Sequence, residues 1–264
     1  MKRLLYILIL CFLCLISTSC QDKSKIITVG ATSVPHAQIL EQCRDLVEEQ
    51  GFKLKIVKYE NYSLLNPALS DGSLDANFFQ HKPYLDAYNE EKNADLVHVI
   101  SVHYEPLGLY AGKSNDYNNI KKGATIGIPN DTTNCARALL LLEELGLITL
   151  DSSKGVLSTV KDITSNPYNL EIVELAAALI PRQLIGLDFG VINGNYALNA
   201  NILDKLLISE NKESLAAKTY ANVLVVRSKD IDNIKIKVLA AALSSDKIKD
   251  FINNTYYGSV VSVK

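Results

Sequence analysis

The sequence of 264 residues has no tryptophan and few cysteines, and several functional motifs are missing from it. It contains no HExxH sequence, no Cys/His spacing typical of a metal site, no Gly-x-Ser-x-Gly turn and no phosphate-binding loop. It also has no run of like charges, no low-complexity tract and no internal repeat. These absences argue against a metalloenzyme, a serine hydrolase or a nucleotide-hydrolysing enzyme, and we expect no cofactor and no bound metal.

The balance of charge argues against nucleic acid as a partner. The formal net charge is −2 at pH 7, and it becomes −4 once Lys2 and Arg3 are removed, because residues 1–20 contain no acidic side chain. A nucleic-acid-binding protein would be expected to carry a basic face. The remaining residues, about 240 in number, suffice for one large or two small hydrophobic cores.

Residues 1–20 have the composition of an export signal. A basic pair, Lys2-Arg3, precedes the unbroken apolar run Leu4–Ile16, and Ser17–Ser19 place small residues before Cys20. The apolar run is too short for a membrane-spanning helix, which needs roughly 20 residues. A cysteine in this place indicates lipid attachment, so Cys20 is the predicted lipidation site. Cleavage by ordinary signal peptidase is the alternative.

Only two cysteines remain in the folded body, Cys43 and Cys135. Two cysteines do not make a disulfide framework. We expect both to be buried as small apolar side chains, without a disulfide between them.

Strand-like and helix-like segments alternate at short intervals along the chain. Such alternation is typical of a parallel, doubly wound α/β sheet. The predicted strands are Ile26–Gly30, Lys53–Tyr59, Leu74–Phe78, Leu96–Val102, Ala124–Ile128, Glu171–Leu175, Leu187–Ile192 and Asn222–Arg227. The predicted helices are Ala37–Gln50, Ser63–Ser70, Pro83–Glu91, Thr132–Leu145 and Asn195–Asn201, followed by terminal helices within Ile231–Tyr256.

Aromatic and basic side chains are concentrated in Asp75–Leu85, where a strand passes into a helix that begins at Pro83. In an open α/β sheet, ligands bind at the carboxyl ends of the strands. We therefore interpret Phe79, His81 and Tyr84 as lining a pocket, and we expect Phe78 to fill the core.

Asn134 and Arg137 lie three positions apart at the start of the helix Thr132–Leu145, and therefore on one face of its first turn. Unpaired backbone N–H groups and the positive end of the helix dipole lie there as well. A guanidinium in that place is an efficient binder of a carboxylate, because it forms two hydrogen bonds and a charge pair. Pairing of Arg137 with an internal Asp or Glu is the alternative.

Five segments carry recognisable motifs: DANFFQHKPYL at Asp75–Leu85, EPLGLY at Glu105–Tyr110, IPNDTTNCARALLLL at Ile128–Leu142, EIVEL at Glu171–Leu175 and VINGNYA at Val191–Ala197. In this order, they resemble the methionine-binding lipoproteins of bacterial ABC importers, the MetQ/NlpA family. The sequence departs from the family at Ser17, where the signal usually has Leu, and at Thr132, where the family often has Pro.

The resemblance implies a two-lobed, periplasmic-binding-protein-like α/β fold of type II, with two doubly wound sheets joined by two crossovers. After the signal peptide, residues 21–106 would form the first part of lobe 1 and residues 107–222 would form lobe 2. Residues 223–264 would complete lobe 1. The chain would cross between the lobes near Pro106–Gly108 and near Val223–Val226.

The resemblance also implies which residues bind the polar end of a ligand. Asn134 and Arg137 match the residues that hold the carboxylate end of the amino acid in the family, and Asn193 and Asn222 match its ligand-contacting asparagines. Asparagine offers both a donor and an acceptor, as a zwitterion requires. Taken alone, asparagine at a strand end is common turn chemistry, and Asn195 is interpreted as structural.

At the apolar end, the predicted contacts are Tyr62, Phe79, His81 and Tyr84, of which Tyr62 matches a pocket tyrosine of the family. Aromatic neighbours stabilise an unbranched thioether by roughly 0.3–1.5 kcal/mol for each sulfur–ring contact. Glu105 is open to two interpretations, a contact with the ligand amine or a salt bridge at the crossing.

We therefore predict a lipid-anchored solute-binding protein, facing the periplasm or the cell exterior, that captures L-methionine and delivers it to the permease and ATPase of an ABC importer. Alternatives are a receptor for D-methionine, for a methionine derivative or for a methionine-containing dipeptide, and a surface adhesin. An enzyme acting on an amino acid would need a nucleophile near Arg137, and Cys135 is the only nearby candidate. We predict that the protein is not an enzyme.

Overall fold

A computed structural model of the chain describes residues 23–211 and 219–263, so the predicted signal segment and Cys20 lie outside the described residues. The strands are β1 Ile26–Ala31, β2 Lys53–Lys58, β3 Ala76–His81, β4 Leu96–Tyr104, β5 Gly108–Ala111, β6 Thr125–Pro129, β7 Thr149–Leu150, β8 Ile163–Ser165, β9 Glu171–Leu175, β10 Phe189–Ile192, β11 Leu206–Ser209, β12 Asn222–Arg227 and β13 Val261–Ser262. The α-helices are α1 Gln38–Glu41, α2 Arg44–Glu49, α3 Leu65–Ser70, α4 Lys82–Lys92, α5 Thr132–Glu144, α6 Ile180–Gln183, α7 Gly194–Asn199, α8 Ile234–Leu243 and α9 Asp246–Tyr256.

The first sheet has six strands in the order β13–β4–β12–β3–β1–β2. β1 pairs in parallel with β2 and β3, whereas β12 runs antiparallel between β3 and β4. In this register Asn222, the first residue of β12, lies beside His81 on β3 and His103 on β4. One edge of the sheet therefore collects polar side chains from three neighbouring strands.

The second sheet has five strands in the order β11–β5–β10–β6–β9. β6 is parallel to β9 and β10, whereas β5 is antiparallel to β10 and β11. Two segments connect the sheets, one between Tyr104 and Gly108 and the other between Ser209 and Asn222. The architecture is therefore the predicted one, with two α/β sheets joined by two crossovers. The second crossing was predicted near Val223–Val226 and this position was wrong, because these residues form part of β12 in the first sheet and the chain has crossed before Asn222.

The expected parallel pairing holds for part of each sheet, and both sheets also contain antiparallel strands. The reason lies in the crossovers. Each crossover leaves one sheet at the edge that faces the other sheet. The strand that follows it, β5 or β12, begins at the facing edge of that other sheet. A strand that starts where its neighbours end must run antiparallel to them.

The predicted helix Ala37–Gln50 is interrupted. It forms α1 and α2, separated by Gln42 and Cys43, whose backbone N–H groups bond to carbonyl oxygens three residues earlier. Such tight bonding is typical of a helix end rather than of a continuous α-helix. The second piece ends as predicted at Gly51, which adopts a positive φ of 80°.

Each sheet packs helices against its own hydrophobic core, and the two cysteines lie in different cores. Cys43 is buried in the first, and Cys135 is buried in the second. Both thiols are free, as predicted. Within the described residues, the structure contains no helix with the length and apolarity needed to cross a bilayer.

Candidate functional site: a cleft between the two sheets

A cavity lies where the facing edges of the two sheets meet, and its empty space, counted together with the solvent-open part, is about 330 Å³. All eight residues predicted to bind a ligand line it, although nothing in their sequence separation requires this. The residues lining the cavity are Tyr62, Phe79, Gln80, His81, Tyr84, Glu105, Asn134, Arg137, Asn193, Gly194, Asn195 and Asn222.

One end of the cavity is aromatic. Tyr62 precedes α3, Phe79 belongs to β3, and Tyr84 lies in the first turn of α4. The three ring centroids are 5.5 to 6.0 Å apart, at angles typical of tilted and edge-to-face pairs. The Tyr62 hydroxyl donates a hydrogen bond to Asn195 Oδ1, and this bond crosses the cleft between the two sheets. Asn195, interpreted from the sequence as structural, thus both supports Tyr62 and lines the cavity.

His81 joins the aromatic end to the polar end. As the N-cap of α4, it accepts a hydrogen bond at Nδ1 from the Tyr84 backbone N–H, over 3.2 Å. Burial, followed by the positive charge of Arg137, lowers the pKa of His81 to about 3. The neutral ring therefore carries its proton on Nε2, which donates to Asn134 Oδ1 over 3.2 Å.

Asn134 and Asn193 form a connected pair at the start of α5 and α7. Asp131 caps α5, and the Asn134 amide nitrogen donates to both of its carboxylate oxygens. Asn134 Oδ1 accepts from Asn193 Nδ2 over 2.8 Å. Asn193 Oδ1 is buried and has no hydrogen-bond partner in the described part of the chain. Asn193 therefore offers an unpaired acceptor to a ligand. In Asn134, by contrast, both the amide nitrogen and the amide oxygen are already engaged in hydrogen bonds within the protein.

Arg137 is buried and held by the protein while it lines the cavity. Its Nε and Nη2 donate to Glu210 Oε1 and Oε2 over 2.7 and 2.5 Å, and Nη2 also donates to the Glu105 carbonyl over 2.9 Å. The guanidinium carbon lies 4.4 Å from the ring centroid of Tyr220. Burial alone would lower the pKa of Arg137. The negative charge of Glu210 and the hydrogen bonds to Glu210 raise this pKa overall, so the Arg137 side chain stays charged.

The pairing of Arg137 with an internal acid, considered as an alternative from the sequence, is therefore present in the structure. It does not remove the guanidinium from the cavity wall. Glu210 lies in the second crossover and also accepts hydrogen bonds from the Tyr104 hydroxyl and the Leu107 backbone N–H. One carboxylate therefore joins both crossovers to Arg137.

Asn222 is positioned by a buried histidine. Its Oδ1 lies 2.9 Å from His36 Nε2, and His36 Nδ1 lies 2.7 Å from the Thr32 hydroxyl. Burial, the dominant cause, lowers the pKa of His36 to about 4, although Glu105 opposes the shift. The neutral ring thus donates at Nε2 and accepts from Thr32, which leaves the Asn222 amide nitrogen as the group that can donate to a ligand.

The sequence analysis missed the lining residues Gln80 and Gly194, and it also missed Glu210, which does not line the cavity but holds Arg137 in its wall. Gly194 follows Asn193 within VINGNYA, and a Cβ there would lie only 2.9 Å from Glu105 Cβ, so a larger residue would displace Glu105. Glu210 carries no local motif, because its partners Tyr104 and Arg137 are distant in sequence. The strand that ends before it, β11, was not predicted either, so no signal in the sequence pointed to Glu210.

Comparison with known proteins identifies the family of the chain. The profile of the NlpA lipoprotein family matches residues 27–264. Methionine-binding lipoprotein MetQ of Bacillus subtilis is 40% identical over 248 residues, covering 92% of this chain and 90% of the relative. Membrane lipoprotein TpN32 of Treponema pallidum is 38% identical over 246 residues, with the same coverage of both chains.

A solved structure gives the same result at the level of the fold. It is described as a nutrient binding protein from Burkholderia cenocepacia bound to methionine, and it superposes with a TM-score of 0.85. It is 36% identical, and the match covers 90% of this chain and 100% of that chain. The family profile and these relatives extend over nearly all of the described residues, and the chain therefore belongs to the NlpA lipoprotein family.

Proposed function

We propose that the protein captures methionine in the cavity between its two sheets and passes it to an ABC importer. The observation that carries this proposal is the convergence of all eight predicted ligand residues on one cavity. That cavity is aromatic at one end and polar at the other, as a small amino acid with an apolar tail requires. A member of the same fold, from Burkholderia cenocepacia, is bound to methionine.

In this proposal, the thioether lies among Tyr62, Phe79 and Tyr84. The sulfur gains roughly 0.3–1.5 kcal/mol from each ring that it contacts. An unbranched side chain can extend between the rings, whereas the branched side chain of leucine would meet them sooner. The aromatic end is therefore the part of the cavity that distinguishes methionine from other apolar amino acids.

The zwitterionic head lies at the other end, where donors and acceptors are both available. Arg137 pairs with the carboxylate, while its bonds to Glu210 hold the guanidinium in a single orientation. Asn222 donates to the carboxylate, and the unpaired Oδ1 of Asn193 accepts from the ammonium. Asn134 acts indirectly, because it orients Asn193 and His81.

The ligand closes the cleft by contacting both sheets. Phe79 and His81 come from the first sheet, and Arg137 and Asn193 come from the second. Because the full set of contacts exists only when the two edges are close together, binding shifts the equilibrium towards the closed form. We assign residues 21–106 and 222–264 to one moving lobe and residues 107–221 to the other, because Asn222 begins β12 of the first sheet.

The protein is associated with the cell envelope, as expected for a member of a lipoprotein family. We propose that a lipid on Cys20 anchors it, with the folded body facing the periplasm or the cell exterior. Its partners in this proposal are the permease and the ATPase of a methionine importer. A Cys20→Ala variant should appear in the soluble envelope fraction, whereas the wild-type protein should sediment with membranes.

The protein is a solute-binding lipoprotein and not an enzyme. The chemistry of its one nucleophile candidate agrees with this. Burial, together with the nearby Glu174, raises the pKa of the Cys135 thiol to about 12. Because the thiolate is the reactive form, a thiol that stays protonated at neutral pH is a poor nucleophile.

Calorimetric titration of the delipidated protein with L-methionine tests the proposed ligand. Saturable binding and a rise in melting temperature are expected, since a ligand that binds only the folded state stabilises it. D-methionine, methionine sulfoxide and a methionine-containing dipeptide are titrated in parallel, and native mass spectrometry identifies any ligand carried through purification. The proposal is contradicted if L-methionine at millimolar concentration produces no heat of binding and no rise in melting temperature.

A further inference from the structure

Two tyrosine rings pack against each other across the cleft. Tyr62 follows β2 of the first sheet, and Tyr196 lies in α7, which follows β10 of the second sheet. Their ring centroids are 4.8 Å apart with the ring planes tilted by 38°, and both side chains are buried. Aromatic rings at this separation attract each other beyond the effect of burial alone. Tyr62 and Tyr196 are called the cross-cleft pair below.

Two hydrogen bonds cross the cleft at this pair, in opposite directions. The Tyr62 hydroxyl donates to Asn195 Oδ1, and the Tyr196 hydroxyl donates to the backbone carbonyl of Glu60 over 3.1 Å. Burial is the main cause that raises the pKa of both tyrosines, so both hydroxyl groups stay protonated at neutral pH and act as donors. Each side of the cleft therefore holds a hydroxyl group that belongs to the other side.

The cross-cleft pair belongs to an apolar cluster with side chains from both sides of the cleft. Leu65 and Phe79 contribute from the side of the first sheet, and Ala177 and Ile180 contribute from the side of the second. Opening of the cleft would expose part of this cluster to water and break both hydrogen bonds. The closed form is therefore stabilised by contacts of protein groups with one another, in addition to any contact with a ligand.

The two rings differ in their relation to the cavity. Tyr62 lines it, whereas Tyr196 lies behind Tyr62 and outside the described lining. Tyr196 can therefore influence binding without contacting a ligand. When only the closed form binds fully, the apparent affinity for any ligand is proportional to the closed fraction. A contact that stabilises the closed form thus raises the affinity for every ligand by the same factor.

We propose that Tyr196 is a positioning residue that acts through Tyr62, and that the cross-cleft pair sets the affinity of the cleft by stabilising its closed form. The residues that line the cavity then set its selectivity. The inference rests on the proposed function, because it explains what stabilises the closure proposed there. It separates affinity from selectivity, and each of the two can be measured by itself.

Tyr196→Phe tests this role, because it removes one hydroxyl group and keeps the ring. Glu60 is exposed, so its carbonyl oxygen can accept a hydrogen bond from water in the variant. For a protein that is mainly open before it binds, the Kd for L-methionine should rise about two- to tenfold, through faster dissociation. The preference for methionine over leucine should keep its wild-type value, because the lining of the cavity is unchanged.

Tyr256→Phe is the matched control. Tyr256 is also buried, and its hydroxyl donates to Oε1 of an exposed residue, Gln38, over 2.7 Å. Both of these residues lie on the side of the first sheet, in α9 and α1, so this hydrogen bond does not cross the cleft. The control loses the same kind of bond as Tyr196→Phe, but its Kd and its dissociation rate should stay at the wild-type values.

Two results would overturn the inference. The first is a wild-type Kd and dissociation rate in a folded Tyr196→Phe variant. The second is a smaller preference for methionine over leucine in that variant, because Tyr196 would then act on the wall of the cavity and not on closure. Tyr62→Phe removes the opposite hydrogen bond while keeping its ring, and it provides a second variant in which weaker binding with an unchanged preference is expected.

A measurement without ligand separates this inference from the proposed function. Single-molecule fluorescence transfer between dyes on the two lobes gives the ratio of closed to open protein. This ratio should fall about two- to tenfold in Tyr196→Phe and should not change in Tyr256→Phe. An unchanged ratio in Tyr196→Phe overturns the inference alone, whereas failure of the wild-type protein to bind methionine removes the proposed function.

Discussion

Replacement of Arg137 by alanine is the most direct test of how the carboxylate of the ligand is held. Arg137 is buried, and it lines the cavity. Loss of one charged partner in a closed site costs roughly 2–5 kcal/mol of binding free energy. Because 1.4 kcal/mol corresponds to a tenfold change, the Kd for methionine should rise about 30-fold to 4,000-fold.

The same substitution also removes the counter-ion of Glu210. Breaking a buried ion pair from one side typically costs about 3–5 kcal/mol of stability, because the remaining charge stays buried and unpaired. Glu210 also accepts from Tyr104 and Leu107, so its displacement would disturb both crossovers. Weak binding by Arg137→Ala alone would therefore not distinguish a lost ligand contact from a damaged cleft.

The double variant Arg137→Ala/Glu210→Gln separates the two effects. Glutamine removes the unpaired charge and can still accept from Tyr104 and Leu107, so much of the melting temperature should return while methionine affinity stays low. Arg182→Ala, which removes an exposed arginine from α6, is the control for loss of a positive charge. Calorimetry and thermal unfolding are measured on all variants. Methionine binding by the double variant with wild-type affinity would refute the assignment of Arg137 to the carboxylate.

Phe79→Ala should weaken methionine binding by about tenfold, because a sulfur–ring contact is lost. Competition calorimetry should also show a smaller preference for methionine over leucine. An unchanged preference would mean that Phe79 only fills the hydrophobic core. Asn193→Ala removes the unpaired acceptor and should cost about 1–3 kcal/mol of binding, and wild-type affinity would exclude an ammonium contact there. The cleft histidines (His36, His81 and His103) have pKa values lowered from 6.5 to about 4, 3 and 3, so only the unfolded state gains their protons as the pH falls below 6.5. Protonation of the unfolded state therefore lowers the free energy of unfolding by about 1 kcal/mol per histidine between pH 7 and 5.5. The buried acids Glu105 and Asp131 have raised pKa values, so the folded state gains their protons first as the pH falls, and this reduces the net loss of stability. Equal urea midpoints at the two pH values would contradict this.

The elements that could be predicted are those with a strong local pattern. Glu171–Leu175 and Asn222–Arg227 match the observed strands at both ends, and α5 begins at Thr132 as expected. Their β-branched alternation or their capping residues act within a few positions of the chain. The strands β5 and β11 were missed, because each has only four residues and depends on pairing with partners elsewhere in the second sheet.

The candidate site was predictable to the extent that its residues follow strand ends. Phe79, His81 and Tyr84 lie at the end of β3 and the start of α4, where the general geometry of α/β sheets places ligands. The resemblance to the family supplied Asn193 and Asn222, which turn chemistry alone would have explained. Neither argument identified Glu210, His36 or His103 as parts of the same site.

The sequence by itself determined the alternation of strands and helices, the capping of α5 and the identity of the residues at each strand end, because these depend on contacts between near neighbours in the chain. Only the tertiary structure decided how those residues pair. Arg137 meets Glu210 across 73 positions and His36 meets Asn222 across 186, because two crossovers bring the edges of both sheets together. That packing also decides that the buried charge of Arg137 is paired inside the protein, with Glu210.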